Sequence, residues 1–222
     1  MPVWVRWLLV LLLAVLVAAP PFVLYRAEYV TAKRFREVSP GRFYRSGQPT
    51  ASGLREMIQR YKIKTVINLQ HEHPDPPLCE TWVGNWFGGA KTPESEICAR
   101  LGVRYVLIPA DVVPHPDDLT VQPPGVGEFL KVLDDESAYP VLLHCLAGLH
   151  RTGRLTAIYR MEYEGWGLGE AFRELRANGY GYEKATEADK MLVHFVQNYQ
   201  PRPKKRDRAA APAAPTTATE GQ

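Results

Sequence analysis

The sequence predicts an α/β fold, a central, largely parallel sheet flanked by helices, preceded by an N-terminal transmembrane helix. Three observations carry this. Through the middle of the chain, short apolar runs of strand length alternate with amphipathic stretches of helical period, and such strand-helix-strand units need crossovers that leave the strands parallel. One of these runs, Val141-Leu-Leu-His144, passes through a short loop straight into a helical pattern. Residues 7 to 25, Trp7 to Tyr25, form a single uncharged apolar run of 19 residues, close to the roughly 20 needed to span hydrocarbon.

Taken in order, Arg42-Phe-Tyr-Arg45 reads as a short strand followed by a turn at Ser46-Gly-Gln-Pro49. Ser52 to Tyr61 is an amphipathic helix whose Leu54, Met57 and Ile58 share a face. Lys64-Thr-Val-Ile-Asn-Leu69 is a buried strand, and His71 to Gly89 a long loop rich in Pro, Gly and Trp. Thr92-Pro93-Glu94 predicts a helix start, with a capping hydroxyl and proline at the first helical position, and Gly102 stops that helix. Val103 to Ile108 is the next strand, Pro124 to Glu136 the next helix and Val141 to His144 the next strand. Thr152 to Glu164, Leu168 to Ala177 and Thr186 to Tyr199 complete a helical block, the last opened by a Thr186-x-x-Asp189 capping signal.

At 222 residues, 45% hydrophobic and 23% charged, the chain has the composition of a globular protein, and without its two ends about 175 residues remain, enough for one domain. The net charge of +3 is that of the tail, where Arg202, Lys204, Lys205, Arg206 and Arg208 stand against Asp207 and Glu220. A segment so poor in hydrophobes reads as a solvated tail rather than a nucleic-acid face. Cys79, Cys98 and Cys145 match neither a zinc ribbon nor a disulfide framework, and His71, His73 and His115 are too loosely spaced for a metal site. Cys79 and Cys98 default to structural thiols, and Trp82, Trp86 and Phe87 to loop packing.

The apolar run admits a cleaved signal, a membrane anchor or a core helix. Proline at position 20 is a poor fit to cleavage after Ala18-Ala19, which favours an uncleaved anchor. Arg26, Lys33, Arg34 and Arg36 follow the run while Arg6 precedes it, so the positive-inside tendency places the following domain in the cytoplasm. A secreted or periplasmic domain after signal cleavage is the alternative. The organisation expected is therefore an anchor or signal over residues 1–26, a catalytic domain over 27–199 and a disordered basic tail over 200–222.

The chemistry concentrates in His144-Cys-Leu-Ala-Gly-Leu-His-Arg-Thr-Gly153. Five residues between Cys145 and Arg151 form a loop short enough to curl its backbone N–H groups inward as an anion nest, with the following helix aiming its positive end at the same point. Arg151 can fold back to grip two phosphate oxygens, and the inward amides favour thiolate at Cys145. Leu146, Ala147, Gly148, Leu149, His150 and Arg151 are then the substrate-binding residues.

This run resembles the signature of the cysteine-dependent protein tyrosine and dual-specificity phosphatases. Gly41-Arg-Phe-Tyr-Arg-Ser-Gly-Gln-Pro49 with Lys64 to Leu69 is similar to the opening of their small bacterial, plant and fungal branch, so the resemblance covers roughly residues 36 to 199. It implies a protein tyrosine phosphatase-like fold, a cysteinyl-phosphate intermediate and no metal or organic cofactor. It also implies a general acid on a loop about thirty residues before the cysteine. Asp111, 34 residues before Cys145 and directly after a strand, fits best, with Asp117 and Asp118 as alternatives closer to the next helix. The resemblance further implies that Thr152 hydrogen-bonds the cysteine sulfur and that His144 orients the loop from behind.

The substrate implied is a phosphorylated protein or a small phosphorylated molecule. Related lipid phosphatases and the inositol pyrophosphate phosphatases carry lysine in the loop, and this loop has none, which leaves phosphotyrosine, with phosphoserine and phosphothreonine, as the default. Inositol polyphosphate or pyrophosphate hydrolysis is the alternative substrate class. A catalytically dead phosphate-binding module and a rhodanese-like sulfurtransferase are the rivals from other classes, the latter having no use for Asp111.

Overall fold

The computed structural model describes residues 2–26, 33–70, 72–81, 84, 87–108, 122–179 and 194–203. Helix α1 (Val3–Arg26) runs through Pro20 and Pro21, and none of its apolar span is buried against the rest of the chain. Strands β1 (Arg36–Ser39) and β2 (Phe43–Gly47) form an antiparallel hairpin. Next come α2 (Ala51–Tyr61), β3 (Thr65–Asn68), β4 (Pro77–Cys79), β5 (Lys91–Pro93), α3 (Glu94–Arg100) and β6 (Arg104–Leu107). Helix α4 (Pro124–Leu133), a single 3-10 turn, β7 (Val141–Cys145), α5 (His150–Tyr163) and α6 (Leu168–Ala177) follow, with a further helical stretch over 194–198.

The main sheet has the order β1-β2-β7-β3-β6, and every pairing except β1 with β2 is parallel, as the crossovers require. β7 lies at its centre and is buried along its whole length. Because side chains alternate along a strand, Val141, Leu143 and Cys145 pack with Phe129, Leu130 and Ile158 of α4 and α5. Leu142 faces the other way, with Leu54, Met57 and Ile97 of α2 and α3. These two apolar layers hold the end of β7, and with it Cys145, at one edge of the sheet.

Several elements differ from the sequence reading. β1 was not predicted, and β4 forms inside the expected 71–89 loop. Thr92 does not cap α3: it lies in β5 opposite Leu78, and strand pairing holds its backbone extended. Asp75 caps that helix from a distant loop instead, accepting from Ser95 N–H at 2.9 Å and from the Ser95 hydroxyl at 2.7 Å. α2 begins at Ala51, one residue early, and Thr50 caps it by accepting from Gly53 N–H. α4 ends at Leu133, and α5 begins at His150, two residues early. Most of the helix expected over Thr186 to Tyr199 lies outside the described residues.

Arg202, read from sequence as a tail charge, is docked on the domain. Its guanidinium holds Asp134 at 2.8 and 2.9 Å and Glu162 at 3.2 Å, and the hydrogen bonds to these carboxylates, that to Asp134 foremost, raise its pKa against the opposing effect of burial. Tyr199 hydrogen-bonds the same Glu162.

Candidate active site

β7 delivers Cys145 to the start of the loop 146–149, and α5 leaves from the loop's far side. Three successive loop carbonyls are turned outward by donors from β2 and its flanks. Leu146 O accepts from Gln48 N–H at 3.2 Å, Ala147 O from Arg34 Nη1 at 2.9 Å and Gly148 O from Arg45 Nη2 at 2.8 Å. A trans peptide carries C=O and N–H on opposite edges, so these contacts leave the N–H groups of residues 147 to 149 facing into the loop. That of Gly148 lies 3.3 Å from Cys145 Sγ. The loop is thus a ring of inward donors with the sulfur at its floor, closed by the N-terminal end of a 14-residue helix.

The chain can make this turn only with glycine at 148. Its φ is +73°, and a Cβ there would stand 2.5 Å from Gly47 N and 2.7 Å from Ser46 C. Gly47 is likewise pressed against Ala147, opposite Cys145 in the β2–β7 register.

Arg45 is a buried charge that the sequence reading left unassigned. It sits on a fully buried strand, 2% exposed, and burial pulls its guanidinium down to about 10, against the opposing pull of Glu174 and Cys145. A charged residue inside an otherwise buried strand was the signal that could have marked it.

Arg151 reaches the end of β3 and the loop after it. Its Nη1 donates to Leu69 O at 2.7 Å, and its two terminal nitrogens hold Glu72 in a fork at 3.1 and 2.7 Å. Glu72, from the loop after β3, carried no distinguishing pattern in the sequence. His144 points away from Cys145, towards α3, where its Nε2 lies 2.7 Å from Glu94 Oε1. Both side chains are wholly buried, and Glu94, after Arg45 and Glu72, is a third residue the sequence reading missed.

Thr152 is buried beside the loop, but its hydroxyl makes no hydrogen bond among the described residues, so the expected bond to Cys145 Sγ is not formed. Gly148 N–H occupies the sulfur instead, and the Thr152 carbonyl accepts from Thr156. Of the remaining binding residues, Leu146 is 46% exposed at the mouth, Leu149 is buried, and Ala147 and His150 are half-buried. Asp111, Asp117 and Asp118 lie outside the described residues, as do His71, His115, Trp82 and Trp86; Phe87 is exposed rather than packed. Cys79 and Cys98 are buried free thiols, and burial, with Glu94 nearby, pushes Cys98 up to about 12.

A family model described as "DSP-PTPase phosphatase fused to NAD+ Kinase" matches residues 26–189. The dual specificity protein phosphatase TpbA of Pseudomonas aeruginosa is 31% identical over 142 residues, 63% of this chain and 52% of that protein. The chain thus spans about half the length of that relative. A tyrosine-protein phosphatase of Mycosarcoma maydis named OCA1 is 29% identical over 60% of this chain and 73% of its own length. Among solved structures, the core catalytic domain of the PP-IP phosphatase SIW14 from S. cerevisiae, in complex with citrate, superposes with a TM-score of 0.55 at 20% identity. It covers 82% of this chain and 93% of that one, a likeness of fold.

Proposed function

This chain belongs to the family of DSP-PTPase phosphatases fused to NAD+ kinase, and from that membership we propose that it is a phosphomonoester hydrolase working through a cysteinyl-phosphate on Cys145. The observation that supports this most is the loop: three carbonyls tied outward, the amides turned inward and the Gly148 N–H on the sulfur. A phosphate seated there meets donors on its equatorial oxygens while the Cys145 thiolate attacks phosphorus in line. Arg151, held by Glu72 and Leu69 O, sets its positive charge beside the loop, where negative charge spreads in the transition state. Asp111 protonates the leaving oxygen and then takes a proton from the water that releases phosphate. Phosphotyrosine, with phosphoserine and phosphothreonine, is the substrate class proposed, in line with the dual specificity named for the relatives.

We place the enzyme at a membrane through α1, with the domain on the cytoplasmic side; the length and exposure of α1 and the basic residues after it support this. The test of the chemistry is Cys145→Ser, whose hydroxyl does not ionise at neutral pH. Hydrolysis of p-nitrophenyl phosphate should vanish while phosphate still binds. Substantial residual turnover would end the cysteinyl-phosphate mechanism.

A further inference from the structure

We propose that Lys33 forms a second anion subsite on the lip of the phosphate cradle, so that the substrate carries another anionic group, a phosphate or a carboxylate, beside the phosphate that is removed. The proposal takes its first anion from the phosphatase reading, but its second rests on different residues. Sequence inspection finds no lysine in the loop; the fold brings one to its edge from the segment before β1.

Lys33 O accepts from Gly47 N–H at 2.7 Å, and Gly47 stands opposite Cys145 in the sheet. A Cβ on Gly47 would lie 2.9 Å from Lys33 Cδ and 3.0 Å from the Ala147 carbonyl, so the lysine stem crosses the glycine alongside the loop. The next residue pins the segment there through the Arg34 bond to Ala147 O. Lys33 and Arg34 both hold positive φ, 32° and 58°, a conformation that costs free energy in residues with a Cβ and persists only where contacts enforce it. Lys33 is half-buried, and no carboxylate among the described residues pairs with it. Burial lowers its pKa, while the charge of Cys145 acts on it in the opposite direction, as expected of an ammonium close to the nucleophile. In the proposed mechanism the loop amides and Arg151 meet the oxygens of one phosphate. Lys33, outside that ring, is left for the neighbouring group.

The full-length Cys145→Ser chain in detergent, titrated calorimetrically with inorganic phosphate and with inorganic diphosphate, tests this. Diphosphate should bind about tenfold tighter than phosphate, and Lys33→Met should remove about tenfold from diphosphate affinity but less than about threefold from phosphate. Lys33→Arg, which keeps the charge and controls for folding, should retain the preference. An equal loss for both anions would make Lys33 part of the primary cradle, and no change would leave it outside the site; either overturns the proposal. Acidic phosphopeptides and small vicinal bisphosphates, compared as substrates of the Cys145-containing chain with and without Lys33→Met, separate the two sources of the second anion. Loss of all hydrolysis with the anion preference intact would count against the phosphatase reading and not against this subsite.

Discussion

At position 145 a thiol closes a strand of Val, Leu, Leu and His, and everything around it is arranged by partners far away in the chain. Arg45 and Arg34 reach Gly148 O and Ala147 O across 103 and 113 residues, and Glu72 holds Arg151 across 79. Removing either arginine would free a loop carbonyl to swing inward, replacing a donor with an acceptor where an anion must sit. The general acid proposed here, Asp111, rests on sequence position. Asp111→Asn should slow phosphotyrosine hydrolysis by about 10²- to 10⁴-fold, the range of general acid catalysis, and slow a substrate with a good leaving group far less. Steady-state rates on phosphotyrosine and p-nitrophenyl phosphate decide it. Equal losses on both would make Asp111 structural and move the test to Asp117 and Asp118.

Among the elements, β7 and α3 show how one strand serves two layers. The same alternation that sends Leu143 and Cys145 towards α5 sends Leu142 and His144 towards α3, where Glu94 meets His144 in the first turn of the helix. A buried ionisable pair is weak evidence of net stability, but removing one member leaves the other uncompensated. Glu94→Ala should therefore cost about 3–5 kcal/mol of unfolding free energy in denaturant melts. Glu94→Leu combined with His144→Leu should cost less than the sum of the two single changes. A loss below about 1 kcal/mol for Glu94→Ala would show that the contact does not matter to the fold. α3 also illustrates why Thr92 misled: its neighbours spell a cap, yet pairing of β5 with β4 takes that residue first, and Asp75 supplies the capping carboxylate.

For the whole molecule, the chain between α1 and the site is short. Seven residue steps separate Arg26, the end of α1, from Lys33 on the lip of the cradle, a reach of at most about 25 Å. The membrane insertion proposed for α1 would keep the mouth of the site near the bilayer. At the other end, Arg202 is fastened to Asp134 and Glu162, so the docked part of the chain extends at least to that residue. In a bacterial host the purified chain should retain its N-terminal segment, sediment with membranes, and lose its C-terminal tail to added protease only once the inner membrane is broken. N-terminal sequencing that begins near Pro20, or tail cleavage in intact spheroplasts, would reverse this topology.

The sequence by itself determined the class of fold, the central strand, the cysteine-loop-arginine run and the span-length apolar helix, because each is a local pattern: period two or 3.6, a fixed spacing, an uninterrupted run. Leu168–Ala177 was legible to the residue for the same reason. Only the tertiary structure decided that Glu94 stands behind His144, that Glu72 holds Arg151, and that Arg34, Arg45 and Lys33 converge on the loop. The contacts of Glu94, Glu72, Arg34 and Arg45 join residues 50 to 113 positions apart, and no local periodicity encodes them. What selects them is the burial of β2, β3 and β7 side by side, which brings the ends of three strands to one edge of the sheet.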